Sequence, residues 1–250
     1  MNQDPKSEPR DQRSGDSAPA VNHQRSDDPL AAQLRGFGPL GILAILIIYF
    51  GNSLFTPLSA VLVLMWVWLS HTPWREIGFV RPRSWVRALA VGIVFGIALK
   101  LFMKAVMMPL FGAPPINQAF HYLVGNSAAL PGVLYAVIVG AAFGEETFFR
   151  GYLFERFRKL FGAHVGTGVM TGRLWLIVLL TSVWFGLEHY SLQGLPGVQQ
   201  ALVVGFVFGT IFAITRQIFM LMIAHAAFDI AAVAIIYWDL ESQVAHFFIK

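Results

Sequence analysis

Two adjacent glutamates, Glu145 and Glu146, lie inside a long apolar stretch, in the motif Gly-Glu-Glu-Thr-Phe-Phe-Arg that ends at Arg150. A charged side chain at the centre of a lipid bilayer costs about 2.5–3.5 kcal/mol on insertion scales, so such residues usually face a protein-lined cavity and carry a function. Two acids in succession therefore indicate a polar site within an otherwise apolar protein.

Helical geometry assigns different roles to the two acids. Consecutive residues of an α-helix diverge by about 100°, so Glu145 and Glu146 are not expected to share a face. Glu146 and Arg150 are four residues apart, with the acid nearer the N-terminus, which is the favourable order for an ion pair. Glu145 is left unpaired along its own helix. We therefore expect Glu145 to act as the general base, with Glu146 and Arg150 supporting the site structurally.

Histidines in two later apolar segments complete the candidate site. His225 and Asp229 are four residues apart, so one helix face carries both. A carboxylate beside an imidazole orients the ring and leaves its second nitrogen free to meet substrate, water or metal. His189 closes another apolar segment, and Phe185, four residues earlier, could form a wall of the site. Taken alone, His189 would fit an interfacial or hydrogen-bonded residue better than a catalytic one.

The composition predicts that this site lies in a membrane protein. Of the 250 residues, 56% are hydrophobic and only 13% are charged, and the mean hydropathy is +0.61; a soluble domain carries about 25% charged residues. Seven runs approach the ~20 apolar residues that a bilayer-crossing helix needs. They cover residues 37–53, 54–70, 86–107, 131–150, 174–192, 199–215 and 217–238. The expected fold class is all-α: a polytopic transmembrane helical bundle of about seven to eight spans, with the active site in the bundle interior.

The domain organisation is expected to be simple. Residues 1–36 are rich in Asp, Arg, Ser, Gln and Pro and are predicted to be a disordered N-terminal tail. Residues 37–250 are predicted to form a single transmembrane domain. No apolar core typical of a cleavable signal peptide precedes Phe37, so the first span is expected to stay attached.

Loop charges predict the orientation. Residues 71–87 carry four arginines and residues 150–173 carry five Arg or Lys residues, whereas residues 108–130 carry none. This bias places the basic loops and the N-terminal tail in the cytoplasm, with the bundle in the plasma (inner) membrane. Lys100 and Lys104 do not fit this orientation, because they fall late in the third span, toward the outside. Either their long stems snorkel to the interface or one helix is misplaced.

Other compositional features exclude several classes. The chain has no cysteine, which excludes disulfides, thiolate metal sites and cysteine catalysis. The net charge of +4 comes from short basic loops, so no nucleic acid partner is expected. The expected partners are the lipid bilayer and a membrane-embedded or lipidated peptide or protein substrate.

Three pairs of glycines four residues apart predict close helix packing. Small residues at this spacing let helix backbones approach each other. The pairs are Gly92 with Gly96, Gly140 with Gly144, and Gly205 with Gly209. Because the middle pair ends one residue before Glu145, a neighbouring helix is expected to press against the acidic site.

The order and spacing of the motifs resemble a known family. Glu145-Glu146-x-x-x-Arg150, Phe185-x-x-x-His189 and His225-x-x-x-Asp229 are similar to the motif set of the CPBP family. This family, also called Abi, contains CAAX prenyl endopeptidases of type 2 and bacteriocin-processing or immunity proteins. The resemblance covers roughly residues 74–238, with residues 74–78 as its softest part.

The resemblance implies an intramembrane endopeptidase. In that role Glu145 would activate the hydrolytic water with help from His189, while His225 and the residue at position 229 would stabilise the oxyanion. The eukaryotic CAAX branch carries Asn at the position of Asp229. An ionised Asp cannot donate to an oxyanion and would act through His225 instead.

Metal dependence and activity are left open by the sequence. Glu145, His189 and His225 could supply three ligands of a catalytic zinc site. A metal-free glutamate protease is favoured, because no His-Glu-x-x-His motif is present and Glu145 cannot easily serve as ligand and base at once. Two alternatives are a catalytically silent immunity or scaffold protein of the same family and a proton-coupled transporter with a Glu and His relay.

Overall fold

The computed structural model describes residues 28–54, 56–164 and 169–248 of the chain. All regular structure within these ranges is helical, which confirms the expected all-α class. The helices are α1 (Pro29–Arg35), α2 (Pro39–Leu54), α3 (Thr56–Leu69), α4 (Trp85–Leu110), α5 (Ser127–Leu160), α6 (Gly172–Glu188), α7 (Tyr190–Thr215), α8 (Ile218–Tyr237) and α9 (Glu241–Ala245). Short 3₁₀ turns at Trp74–Ile77 and Gln118–Leu123 lie in the connections.

Several of these helices have the length and apolar character of membrane spans. Within the described ranges, α4, α5, α7 and α8 are each long and apolar enough to cross a bilayer. A fifth span results if α1 and the first part of α2, which meet at 60°, count as one. The chain is therefore an integral membrane protein, and the number of seven to eight crossings stays a prediction.

The predicted disordered tail needs a correction at its C-terminal end. Residues 1–27 lie outside the described residues, but Pro29–Arg35 form α1. The Asp28 side chain caps this helix by accepting hydrogen bonds from the amides of Leu30 and Ala31, and a proline is favourable at the first helical position. The indole of Trp66 donates to the Leu34 carbonyl, so α1 is tied to α3. The signal that the tail prediction overlooked is Asp-Pro before an apolar run.

Helix α5 is longer than the span predicted at residues 131–150, and it has an unusual geometry. It continues to Leu160, so Glu145 lies near the middle of the helix instead of near one end. From Ala136 to Leu153 its backbone follows the wider i→i+5 hydrogen-bond pattern of a π-helix. Such stretches are rare and occur frequently at functional sites. The candidate motif therefore sits wholly in an underwound part of the helix.

Helix α7 begins earlier than the predicted span at residues 199–215. The chain is helical from Tyr190, apart from a break at Gly194, whose φ of 62° and ψ of −158° belong to a conformation that side chains rarely adopt. Pro196 follows at the start of the resumed helix, where the missing amide proton costs little. The loop expected between the predicted spans at residues 174–192 and 199–215 is therefore a kink within α7.

Two of the three glycine pairs make the predicted close contacts. Gly92 and Gly96 on α4 pack against α8, and Gly205 and Gly209 on α7 pack against α6. A Cβ placed on Gly96 would lie only 2.1 Å from the Ala224 carbonyl oxygen. This contact holds α4 directly against the helix that carries His225.

The glycine contact predicts a stability difference. Gly96→Ala should destabilise the protein by about 1–3 kcal/mol, because backbone must move to accept the methyl group. Gly140→Ala is the matched control, since nothing described lies within 4 Å of its Cβ position and alanine favours a helix by up to about 1 kcal/mol. Tryptophan fluorescence during thermal unfolding in detergent measures both. Equal melting temperatures for the two variants would contradict the assigned contact.

Candidate active site

The site is built around His225, which α8 presents toward α5. The ring is 4% exposed, and its Nδ1 donates a hydrogen bond to Glu146 Oε1 at 2.7 Å. Its Nε2 lies 3.5 Å from Asp229 Oδ2 and 3.9 Å from Glu145 Oε2. Three carboxylates thus surround one imidazole, and only Glu146 is close enough for a short hydrogen bond.

Glu146 also forms the ion pair that its spacing predicts. Its Oε1 lies 3.0 Å from Arg150 Nη1, and both side chains are buried, with Glu146 fully inaccessible. The guanidinium carbon lies 4.6 Å from the ring centre of Phe185 and 5.6 Å from that of Phe208. Aromatic faces attract a cation, which offsets part of the cost of burying it. Glu146 is therefore a shared acceptor that joins Arg150 to His225.

The expectation that the two acids cannot share a face is wrong. Both Glu145 and Glu146 reach His225. The i→i+5 pattern puts more residues into each turn than the 3.6 of an α-helix, so consecutive side chains diverge by less than 100°. The sequence gives no sign of this underwinding.

Glu145 differs from Glu146 in its surroundings. Its side chain is 19% exposed, and its Oε2 is buried yet accepts no hydrogen bond from any described residue. Buried carboxylate oxygens normally have a donor, so an unsatisfied one at a cavity wall indicates a place for water or a ligand. Asp229 Oδ2 lies nearer to His225 Nε2, at 3.5 Å, but the Glu145 oxygen is the one that is buried without a donor among the described residues.

His189 lies directly after α6, and its ring is oriented by its own helix. Its Nδ1 donates to the Phe185 carbonyl at 2.8 Å, which leaves Nε2 free in the neutral ring. The Phe185 ring lies 4.7 Å from the His189 ring and 6.2 Å from the His225 ring, centre to centre. Phe185 thus forms the wall between the two histidines.

All four candidate catalytic residues line one cavity. It has a volume of about 1120 Å³ and is bordered by Glu145, His189, His225 and Asp229. On straight helices over the predicted fourth and fifth spans, Glu145 and His189 would lie too far apart in depth, so the fifth span is expected to tilt, break or start later than residue 174. The extension of α5 to Leu160 and the end of α6 at Glu188 remove that conflict. The predicted site residues therefore share a single space.

A catalytic metal site needs about three side chains that converge on one position. Among the described residues, no three His, Asp or Glu side chains converge as a metal ion requires. His225 and His189 donate through Nδ1 to Glu146 and to the Phe185 carbonyl, so in each neutral ring Nε2 is the nitrogen left as an acceptor. Glu145, His189 and His225, the set considered for zinc, line the cavity without forming a ligand cluster.

Lys100 and Lys104 turn inward, so neither snorkels to an interface as the sequence suggested. Lys104 Nζ lies 2.7 Å from Glu241 Oε1 and also donates to the Pro115 carbonyl. Lys100 Nζ donates to Gln200 Oε1 at 3.0 Å. Both lysines line the same cavity as the histidines. The sequence analysis missed that both lysines line the cavity, because their partners Gln200 and Glu241 are distant in the sequence.

Gly140, the first residue of the third glycine pair, makes no close contact with another of the described helices. Gly140 borders the cavity, and no atom of the described residues lies within 4 Å of its Cβ position. The missing side chain thus leaves open space beside Glu145. Within the described part of the chain, the close helix contact expected for this pair is therefore absent at Gly140, whereas Gly144 is buried.

One of three comparisons with known proteins gives a match. Residues 127–231 match the family model described as type II CAAX prenyl endopeptidase Rce1-like. These residues are similar to that family, and the match covers less than half of the chain. Comparisons with curated proteins and with solved structures give no match.

The match to the Rce1-like family covers every motif residue from Glu145 to Asp229. It begins after the softer resemblance at residues 74–78, which lies outside the matched segment. The family is one of CAAX-type intramembrane proteases, and the apolar helices of the chain agree with that setting.

The different surroundings of the two acids predict different effects on stability. Glu146→Ala should destabilise the protein by about 3–5 kcal/mol, because it leaves Arg150 buried without its partner and releases His225. Glu145→Ala is the matched control one residue away and should change the melting temperature little. Thermal unfolding of both variants in detergent tests this. A loss for Glu145→Ala as large as that for Glu146→Ala would contradict the assignment.

Proposed function

We propose that the protein is an intramembrane endopeptidase that hydrolyses a peptide bond of a membrane-associated or prenylated protein, or of a peptide precursor. The observation that carries this proposal is the position of Glu145. Its Oε2 is buried, accepts no hydrogen bond within the described part of the chain, and lies 3.9 Å from His225 Nε2 on the cavity wall. A carboxylate in such a position is suited to bind and deprotonate a water molecule.

Glu145 would serve as the general base. A water held by its free oxygen attacks the carbonyl carbon of the scissile bond as one proton passes to the carboxylate. The same proton can then go to the leaving nitrogen, which regenerates the base. His189 Nε2 faces the same cavity without the proton that Nδ1 holds, so it can accept a hydrogen bond from the attacking water.

His225 would stabilise the oxyanion. In the doubly protonated ring, Nδ1 donates to Glu146 while Nε2 can donate to the negative oxygen that develops on the substrate. Asp229 lies 3.5 Å from Nε2 and therefore supports the ring's charge and orientation. Its carboxylate cannot itself donate, so its role is to act through His225.

Glu146 and Arg150 would position this machinery without touching the substrate. Glu146 fixes the His225 ring through Nδ1, and Arg150, packed against Phe185 and Phe208, holds Glu146. No step of this scheme requires a metal ion. The four arginines of residues 71–87, against no Arg or Lys in residues 108–130, support an orientation with the N-terminal tail in the cytoplasm and the bundle in the plasma (inner) membrane.

Cleavage of a peptide library, with and without prenylated members, tests the proposal. Glu145→Ala should lower hydrolysis by about 10²–10⁴-fold, the usual contribution of a general base. Asp239→Asn is the control: it removes an exposed carboxylate just beyond α8, and Asn tolerates the φ of 54° at this position. A chelator should leave wild-type activity unchanged.

Three results would overturn the proposal or part of it. Biological function retained in Glu145→Ala would favour a silent immunity or scaffold protein. Glu145-dependent substrate flux across proteoliposomes without hydrolysis would favour a transporter. Activity lost with chelator and restored by zinc would replace the metal-free mechanism.

A further inference from the structure

Two buried lysines that the proposed mechanism does not use, Lys100 and Lys104, line the cavity. Lys100 is 7% exposed and lies on α4, four residues after Gly96, where α4 packs against α8. Its Nζ donates to the neutral side chain of Gln200 on α7 and lies 4.9 Å from the centre of the Phe228 ring. Phe228 immediately precedes Asp229. Lys100 is thus set at the junction of three helices beside the candidate site.

Lys100 and Lys104 differ in how their charges are balanced. Lys104 has a close carboxylate, Glu241, at 2.7 Å. In residues 28–54, 56–164 and 169–248 no carboxylate forms an ion pair with Lys100. The Asp229 carboxylate attracts the ammonium electrostatically, but it lies farther away than an ion pair. Burying an ammonium without a close counter-ion costs several kcal/mol. Lys100 carries this cost at the wall of a cavity of about 1120 Å³.

The donors of Lys100 are also only partly used. An ammonium has three N–H donors, and within the described part of the protein the Gln200 oxygen is its one hydrogen-bond acceptor. A carboxylate would supply both the missing acceptor and the missing negative charge. Charge-assisted hydrogen bonds of this kind are about twice as strong as neutral ones.

We propose that Lys100 binds a carboxylate of the peptide substrate and so helps to select what enters the cavity. This inference rests on the proposed function, since it assigns the cationic wall to the same substrate that Glu145 hydrolyses. A peptide offers such a group at its C-terminus or on an Asp or Glu side chain. Gln200 and Phe228 hold the ammonium in place, while Lys104 is already neutralised by Glu241.

The test uses the full-length protein in detergent and the peptide that wild type cleaves best from the library. This peptide is synthesised as the C-terminal acid, as the C-terminal amide, and with its Asp and Glu replaced by Asn and Gln. Wild type should cleave the form that keeps the recognised carboxylate about 10–100-fold faster than the form that lacks it. Preference for the acid over the amide identifies the C-terminus as the source. Loss on side-chain replacement alone identifies an Asp or Glu.

Variants connect this preference to Lys100. Lys100→Met should abolish the preference by slowing only the carboxylate form, and Lys100→Arg should retain most of it. Arg87→Gln removes an exposed charge from the first turns of the same helix and should change neither rate. The wild-type comparison needs no variant, so misfolding of Lys100→Met leaves the test intact.

Failure of this inference differs from failure of the proposed function. Equal, Glu145-dependent cleavage of every peptide form would overturn the role of Lys100 and leave the peptidase assignment in place. If no peptide is cleaved, the binding of library peptides with and without the carboxylate to the Glu145→Gln protein is measured by fluorescence anisotropy instead. Tighter binding of carboxylate forms that disappears in Glu145→Gln/Lys100→Met supports the inference, and equal binding overturns it.

Discussion

The shared carboxylate of Glu146 is the constraint on which the rest of the site depends. A fully buried acid is tolerable only when charge and hydrogen bonds compensate it, and here Arg150 and His225 both converge on one oxygen. Arg150 is in turn enclosed by aromatic rings from α6 and α7. One carboxylate therefore fixes the mutual placement of four helices in a region where the apolar surroundings offer few other directional interactions.

The underwound part of α5 brings a second acid, Glu145, to the same histidine. It allows the neighbouring Glu145 to face the same imidazole, but without a short hydrogen bond of its own. One acid is satisfied by the protein and the next is available to a ligand. A polar cavity in a membrane bundle could equally serve transport. The feature that favours hydrolysis is that Glu146 is paired within the protein, whereas the buried oxygen of Glu145 has no donor among the described residues.

Much of the fold and of the candidate site could be predicted from the sequence. Apolar runs located the long helices, since bilayer thickness fixes their length, and the i,i+4 spacings correctly paired Glu146 with Arg150 and placed His225 beside Asp229. The i→i+5 geometry could not be predicted, because it depends on packing that residue spacing does not encode. The contacts of Glu146 with His225 and of Lys100 with Gln200 join residues far apart in the chain, so local patterns cannot reveal them.

The ion pair within α5 has a consequence for how the protein reaches the membrane. His225 is 79 residues downstream of Glu146, so α5 is synthesised before its interhelical partner. Arg150 is only four residues away and is available from the start. The pair can neutralise both charges within a single helix, at a stage when each would otherwise resist insertion. The arrangement that later orients a histidine thus also serves the biogenesis of the helix that carries the proposed general base.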